Sequence, residues 1–246
     1  MTETIFYRSE LIEFVLLSDK RLCFDEHCHV SDIVITAMLD GTAILSRNGK
    51  ASPVCKDDIF SVLPYENHSL MSDCPVSTLT MCINKRLLCR PEKEYISVIS
   101  AAVHGMTEKG LPPCLADSFL QCVTSACTEY LNSGISADPM LLSERRSIEE
   151  HPESSDTLDE SGKRVYMSKY HFIRRFREIS GLTPHKFRIQ NRIRQAQRCL
   201  ANGGAIPEAA LMSGFYDQSH FDRYFKKIVG ISPKDYVDSL RNFLQE

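Results

Sequence analysis

No stretch of this 246-residue sequence approaches the ~20 consecutive apolar residues that a bilayer-spanning helix needs, which excludes such a helix. Met1 to Arg8 lacks a basic segment followed by an apolar core, so no secretory leader is expected and the chain reads as cytoplasmic. None of the ten cysteines stands in a Cys-x-x-Cys pair, which removes the zinc-knuckle and thioredoxin-type signatures. Without an exporting leader a disulfide framework has no oxidising compartment, so the thiols are expected to be reduced, mostly buried and packed as small hydrophobes. Positive charge is not in excess either: 29 Lys and Arg against 32 Asp and Glu leave a net −3. Averaged over the chain, that argues against nucleic acid, whose phosphates favour basic surfaces. What remains is an ordinary globular composition, 25% charged and 43% hydrophobic, at a length suited to one or two domains.

The average conceals a division. Residues 1–139 carry 11 basic and 18 acidic side chains, a net of −7, whereas residues 140–246 carry 18 and 14, a net of +4. From Lys163 onward the balance reaches +9. Such asymmetry between halves marks a nucleic-acid-binding portion. The run Asn132-Ser-Gly-Ile-Ser-Ala-Asp-Pro139 is rich in turn and breaker residues, and nine of the ten cysteines precede it. The expected organisation is a regulatory domain over 1–132 (a barrel at about 5–90, helices at about 91–132), a linker at 133–139, and a second domain over 140–246.

The first half reads as short strands. Ile33-Val-Ile-Thr-Ala-Met-Leu39 ends at Asp40-Gly41, Ala43-Ile-Leu-Ser46 ends at Asn48-Gly49, and Ile59 to Leu63 stops at Pro64. With Val76 to Ile83, the spacing predicts a sandwich or barrel. Past Pro91 the period changes: Leu115, Phe119, Cys122, Val123, Ala126 and Tyr130 predict an amphipathic helix over 114–131, and Tyr95 to Val103 another ending near Gly105. These helices would cover the barrel, with a further apolar patch available to a second copy of the chain.

Three histidines stand out. His27-Cys-His29 alternates as on a strand, which would turn both imidazoles to one face, and His68 follows the Ile59–Leu63 strand after a turn. The layout resembles a cupin barrel, with Gly41 and Pro64 in place but Ile33 and Val34 where that fold's acidic metal ligand is expected. The missing carboxylate argues against a metal and against enzymology, so no cofactor is expected. His27, His29 and His68 are instead candidate lining of an effector pocket. The alternatives are a metal- or redox-responsive regulator using these histidines and nearby cysteines, or a cupin enzyme fused to a second domain.

The clearest signal is an internal repeat. His171-Phe-Ile-Arg-Arg-Phe-Arg-Glu-Ile-Ser-Gly-Leu-Thr-Pro-His-Lys-Phe187 recurs 49 residues later as His220-Phe-Asp-Arg-Tyr-Phe-Lys-Lys-Ile-Val-Gly-Ile-Ser-Pro-Lys-Asp-Tyr236. Phe172, Phe176 and Ile179, and again Phe221, Phe225 and Ile228, form core stripes. The opposite faces carry Tyr170, Ile173, Arg174 and Arg177, and Ser219, Asp222, Arg223 and Lys226. Gly181 and Gly230 are C-cap candidates, and Thr183-Pro184 and Ser232-Pro233 start the next helices. A shorter helix precedes each unit: Thr157 to Glu160 fits a capping box, and Ile206 to Met212 leads into Ser213-Gly214-Phe215. That is the helix-turn-helix layout twice over. Ile189, Ile193, Ala196 and Leu200 predict a connecting helix from about Pro184 to Asn202. Its length, roughly 28 Å at ~1.5 Å per residue, approaches one turn of B-DNA.

On these residues the chain resembles the AraC/XylS family of bacterial transcription regulators, specifically over 140–246 and loosely before it. The segment Ile206 to Tyr236, with Gly214-Phe, Gln218-Ser-x-Phe, Phe225-Lys and Gly230-x-Ser-Pro, matches the family's signature, and Met167 to Phe176 matches its first unit. Ser161 departs from a usual core leucine and Tyr166 from a frequent glycine. The resemblance implies an α+β multidomain fold: a cupin-like β-barrel with flanking helices, then an all-α double helix-turn-helix domain. It implies a non-enzymatic regulator of promoter DNA under a small-molecule effector, with RNA polymerase as partner if it is an activator, and a possible homodimer. The implied base readers are Tyr170, Ile173, Arg174, Gln218, Ser219, His220, Asp222 and Arg223. The implied phosphate contacts are Ser168, Lys169, Arg177, Lys226 and Lys227.

Overall fold

Strand β1 (Glu3–Arg8) pairs antiparallel with β2 (Ile12–Lys20), and then come β3 (Cys23–His27), β4 (Asp32–Asp40), β5 (Thr42–Arg47), β6 (Lys50–Cys55), β7 (Ile59–Val62), β8 (His68–Met71) and β9 (Val76–Asn84). The computed structural model describes residues 3–47, 49–133 and 138–242. Asn48 of the expected second hairpin, linker residues 134–137 and the last four residues lie outside them. The chain forms two compact units, 1–134 with 239–246, and 135–238.

The first unit holds a six-stranded sheet, β10-β1-β2-β9-β4-β7, and a four-stranded one, β3-β8-β5-β6, with β10 (Leu240–Asn242) parallel to β1 at the edge. Leu240–Asn242 therefore lie with the first unit, outside the second domain expected over 140–246. The physical reason is local: an edge strand offers unpaired backbone groups that a returning segment can satisfy. Among the described residues no strand pairing joins the two sheets into one closed barrel.

Strand β4 is buried from Ile33 to Met38 because both its faces are covered there. Ile33, Ile35 and Ala37 pack, with Phe14, Leu79, Met81 and Ile83, against helices α1 (Glu92–Thr107) and α2 (Pro113–Asn132). Met38, on the other face, packs with Ala43, Leu45, Val54 and Val76 between the sheets. On that inner face Thr36 and Thr80 hydrogen-bond through their hydroxyls at 3.0 Å. A short 3-10 helix, Lys85–Cys89, precedes α1. In α1 Tyr95, Ile99, Ala102, Val103 and Met106 face the sheet, as do Leu115, Phe119, Val123, Ala126 and Cys127 of α2. Helix α1 runs past Gly105 to Thr107, beyond the expected stop.

Most thiols are not buried, contrary to expectation. Only Cys28 and Cys127 are, while Cys23, Cys55, Cys74, Cys89 and Cys114 are exposed. Four of these five lie at the ends of regular elements, where side chains reach solvent, and Cys74 lies in the β8–β9 connection. Burial pushes the Cys127 thiol up to about 11.

The second unit is helical: α3 (Pro139–Glu150), α4 (Leu158–Arg164), α5 (Lys169–Ser180), α6 (Pro184–Ala201), α7 (Ile206–Met212), α8 (Gln218–Val229) and α9 (Pro233–Ser239). Helix α3 was not anticipated. Asp138 and Pro139, read as the end of a linker, are its N-cap and first residue, the Asp138 carboxylate accepting from Met140 N at 2.9 Å. Leu141, Glu144 and Ile148 are its buried face.

Candidate nucleic-acid interface

Each of the two helix-turn-helix modules is built by the same devices. The predicted capping box starts α4: Thr157 N donates to the Glu160 carboxylate at 2.7 Å, and Glu160 N to the Thr157 hydroxyl at 3.2 Å. Ser168 caps α5 by accepting from His171 N at 3.4 Å, and Asp217 caps α8 by accepting from His220 N at 2.7 Å. Gly181 and Gly230 end these helices at φ 72° and 88°, the left-handed region glycine adopts without strain. Thr183 differs from expectation: it precedes Pro184 at the start of α6 but makes no side-chain cap bond.

The repeat is not in one register. Helices α4 and α7 begin 48 residues apart, as do the turn bonds Met167 N to Gly162 O (2.9 Å) and Phe215 N to Ala210 O (3.0 Å). The recognition helices α5 and α8 begin 49 apart. Tyr216 is the extra residue in the second turn, and at 93% it is among the most exposed large side chains of the chain. At the turn position that Gly214 fills at φ 77°, the first module has Tyr166 at φ 55°, itself 87% exposed. Tyr166 stands out in the sequence as a departure from a frequent glycine; Tyr216 does not, and the signal available for it was its position just before the N-cap Asp217.

The outward faces form as expected. On α5, Lys169, Tyr170, Arg174 and Arg177 are exposed and Ile173 half-buried; Tyr170 is 82% exposed. On α8, Gln218, Ser219, Arg223, Lys226 and Lys227 are exposed. His220 is more enclosed, its ring 4.8 Å from that of Tyr224 and 5.8 Å from that of Phe215. The Arg223 guanidinium lies over the Tyr224 ring at 5.6 Å. Asp222 has one carboxylate oxygen buried with no hydrogen-bond partner, and burial raises its pKa above the usual aspartate range. An acceptor left in that state on a recognition helix is suited to a donor brought by a ligand.

Beneath these faces, Phe172, Phe176 and Phe187 stack edge to face with centroids 5.4 and 5.3 Å apart, and Phe221, Phe225 and Tyr236 repeat the pattern at 5.4 and 5.5 Å. Between the modules, α6 buries Ile189, Ile193, Ala196 and Leu200. Its 18 residues span ~27 Å at ~1.5 Å each. Arg192 on α6 donates to four carbonyls: Pro152 O at 2.7 Å, Gly214 O at 2.8 Å, Ser154 O at 3.1 Å and Glu153 O at 3.3 Å. A Cβ at position 214 would lie 2.9 Å from Glu153 Cα, so this turn needs its glycine for space as well as for φ. Ser161, in place of a core leucine, is buried and its hydroxyl accepts from Arg164, which also holds the buried Glu144 carboxylate through two bonds of 2.7 and 2.8 Å.

In the first unit the three candidate histidines converge. Ring centroids lie 4.2 Å (His27–His68), 5.1 Å (His29–His68) and 5.2 Å (His27–His29) apart. One nitrogen from each falls within 4.8 Å of the others. The convergence does not come from strand alternation, because β3 ends at His27 and His29 lies in the connection that follows. His27 instead faces His68 across the β3–β8 pair. Burial lowers the His68 pKa to about 4, so its imidazole is neutral, and Arg47 adds to the effect.

Residues 162–239 match the family model described as a helix-turn-helix domain. The chain is similar to the HTH-type transcriptional regulator YbfI of Bacillus subtilis, 39% identical over 73 residues, which are 30% of this chain and 26% of that protein. It is similar to the bifunctional transcriptional activator/DNA repair enzyme Ada of Escherichia coli, 30% identical over 84 residues, 34% of this chain and 24% of that one. The matched segments span only about a quarter to two-fifths of the curated relatives. Over 98% of this chain and 97% of the other, the fold is similar to that of unsaturated-fatty-acid-bound ToxT of Vibrio cholerae, with a TM-score of 0.61 at 16% identity.

Proposed function

We propose that the protein, whose residues 162–239 match the helix-turn-helix family model, is a sequence-specific DNA-binding transcriptional regulator of the AraC type whose two modules read successive major-groove segments of a promoter. The observation that carries this reading is the repeated outward face, in which α5 and α8 each present exposed cations and hydrogen-bonding groups from a capped N-terminus, joined by α6. We assign base reading to Tyr170, Ile173, Arg174, Gln218, Ser219, Asp222 and Arg223. Arginine can donate bidentately to guanine and glutamine to adenine, Ile173 can meet a thymine methyl, and Asp222 can accept from cytosine N4. His220 has a packing partner on either side and supports α8 from within. Ser168, Lys169, Arg177, Lys226 and Lys227, with the helix-start amides, are assigned to phosphates.

Arg223→Ala is expected to weaken binding at the specific site by about 1–3 kcal/mol and to relax one base preference. Lys226→Ala should weaken specific and scrambled duplexes alike and reduce the salt slope by about 1. Competition binding on full-length protein at several salt concentrations checks both. Equal affinity of the unaltered protein for a genome-selected site and its scrambled copy would sink the reading.

The same proposal gives the first unit a regulatory role. The ToxT comparison is with a fatty-acid-bound protein, and here the facing sides of the two sheets carry packed apolar residues together with the Thr36–Thr80 hydroxyl pair. A small-molecule effector there, a homodimer, and RNA polymerase as partner of an activator complete the assignment.

A further inference from the structure

We propose that His27, His29 and His68 form a binding site for one divalent transition-metal ion, zinc(II) foremost, held through three imidazole nitrogens. The three donor atoms already lie within 4.8 Å of one another. Tetrahedral zinc with Zn–N bonds of ~2.0–2.1 Å needs nitrogens about 3.3 Å apart. Closing that difference is a matter of about 1.5 Å, which we assign to rotation of the histidine side chains. Imidazole sets of this kind suit zinc, copper, nickel and iron, and do not suit magnesium or calcium, which take oxygen ligands.

Two of the rings are held in the form a metal requires. His27 Nδ1 lies 2.7 Å from Asp25 O, and His68 Nδ1 lies 3.1 Å from Glu66 O. A carbonyl can only accept, so each Nδ1 carries a proton, which leaves Nε2 as the nitrogen that would take a metal. This is the outer-shell arrangement that orients metal-binding histidines. The residues beside the ligands are themselves tied, the Asn67 amide donating to the Glu26 carboxylate at 2.6 Å. That bond braces the β3 end against the β8 start, the two segments that carry His27 and His68.

Asp25, Glu26 and Glu66 are the chain neighbours of the ligands, and the nearby cation Arg47 lies 3.9 Å from the Glu66 carboxylate. The absence of a carboxylate ligand does not exclude zinc: three imidazoles can hold it, and the remaining coordination position goes to water or an added anion. The site lies wholly within the first unit, so it stands or falls independently of the DNA-binding reading.

The test uses the reduced full-length protein loaded with zinc(II) or cobalt(II), dialysed, and assayed for metal per chain. Cobalt is followed by its visible spectrum. The expected result is one ion per chain and a tetrahedral cobalt spectrum without the near-ultraviolet thiolate-to-cobalt charge-transfer band. His27→Ala is expected to weaken affinity by at least ~10-fold. His27 is only half-buried, so its loss disturbs packing least. His68→Gln should do the same if circular dichroism shows it folded, whereas His104→Ala on α1 should bind as the unaltered protein does. Substoichiometric metal, a thiolate charge-transfer band, or undiminished binding by His27→Ala would overturn the proposal. The thiolate outcome would assign the ion to exposed cysteines instead.

Discussion

Phe225→Ala is expected to cost the second unit about 3–5 kcal/mol, the range for deleting a fully enclosed phenyl ring from a core. Phe225 has no solvent exposure and meets Phe221 and Tyr236 edge to face at 5.4 and 5.5 Å. Alanine would remove the ring that joins α8 to α9 and leave a cavity bounded by aromatic edges that cannot collapse without turning off their rotamers. For a unit of about this size the loss corresponds to a fall in its Tm of about 15–25 °C. Chemical denaturation followed by far-ultraviolet circular dichroism measures it. Phe176→Ala should behave alike, because Phe172, Phe176 and Phe187 repeat the arrangement under α5. A cost below ~1 kcal/mol for both would mean that the repeated aromatic chains are not the core of the modules. Phe225→Leu should recover part of the loss, since leucine refills much of the cavity that alanine leaves but not the ring contacts.

Arg192→Met is expected to cost about 3–5 kcal/mol and, beyond that, to separate the two modules functionally. The guanidinium donates to four backbone carbonyls, three in the 152–154 segment ahead of α4 and one at Gly214 in the turn ahead of α8. Methionine fills similar space but donates nothing, leaving these carbonyls short of partners in a half-buried place. Hydrogen bonds to charged groups contribute about 1.5–3 kcal/mol each, and four sharing one side chain are not additive. The functional consequence follows from position. Arg192 sits mid-way along α6 and grips the approach to one module and the turn of the other, so it sets their relative angle. A site whose two halves are correctly spaced should lose affinity in Arg192→Met by more than either half-site alone, and discrimination against altered spacing should decline. Equal loss on half-sites and full sites would show that Arg192 acts on stability alone.

The double helix-turn-helix was legible because its signals are local. Capping at Thr157, Ser168 and Ser232, proline at the first turn of α6, glycine after α5 and α8, and a phenylalanine stripe at helical spacing all act within one or two turns. Each therefore survives as a pattern in the chain. The charge reversal between the halves is likewise a property of composition and needs no fold to be read. Helix α3 escaped because its cap, Asp138-Pro139, is also the language of linkers, and its buried face includes Glu144, which reads as polar until Arg164 is seen to hold it.

Other features depended on segments far apart in the chain. Tyr216 as an inserted residue emerges only when the turn bonds are superposed on the helix starts, since matching side chains alone return a single offset of 49. The grip of Arg192 spans 22 to 40 residues, and no spacing rule would pair an arginine with four main-chain carbonyls. Burial of the cysteines was misjudged because a thiol's exposure depends on which strand end or helix end carries it. The histidines show the division most plainly. That His27 and His29 are near each other is written in the chain. That His68 closes the triangle is decided by the β3–β8 pairing, and which ring nitrogen of His27 and His68 carries a proton is decided by the carbonyls of Asp25 and Glu66. Local propensity and periodicity thus determined the modules and their order, whereas every contact that sets an angle, a register or a donor set needed cross-chain hydrogen bonds, whose partners are chosen by packing and not by sequence distance.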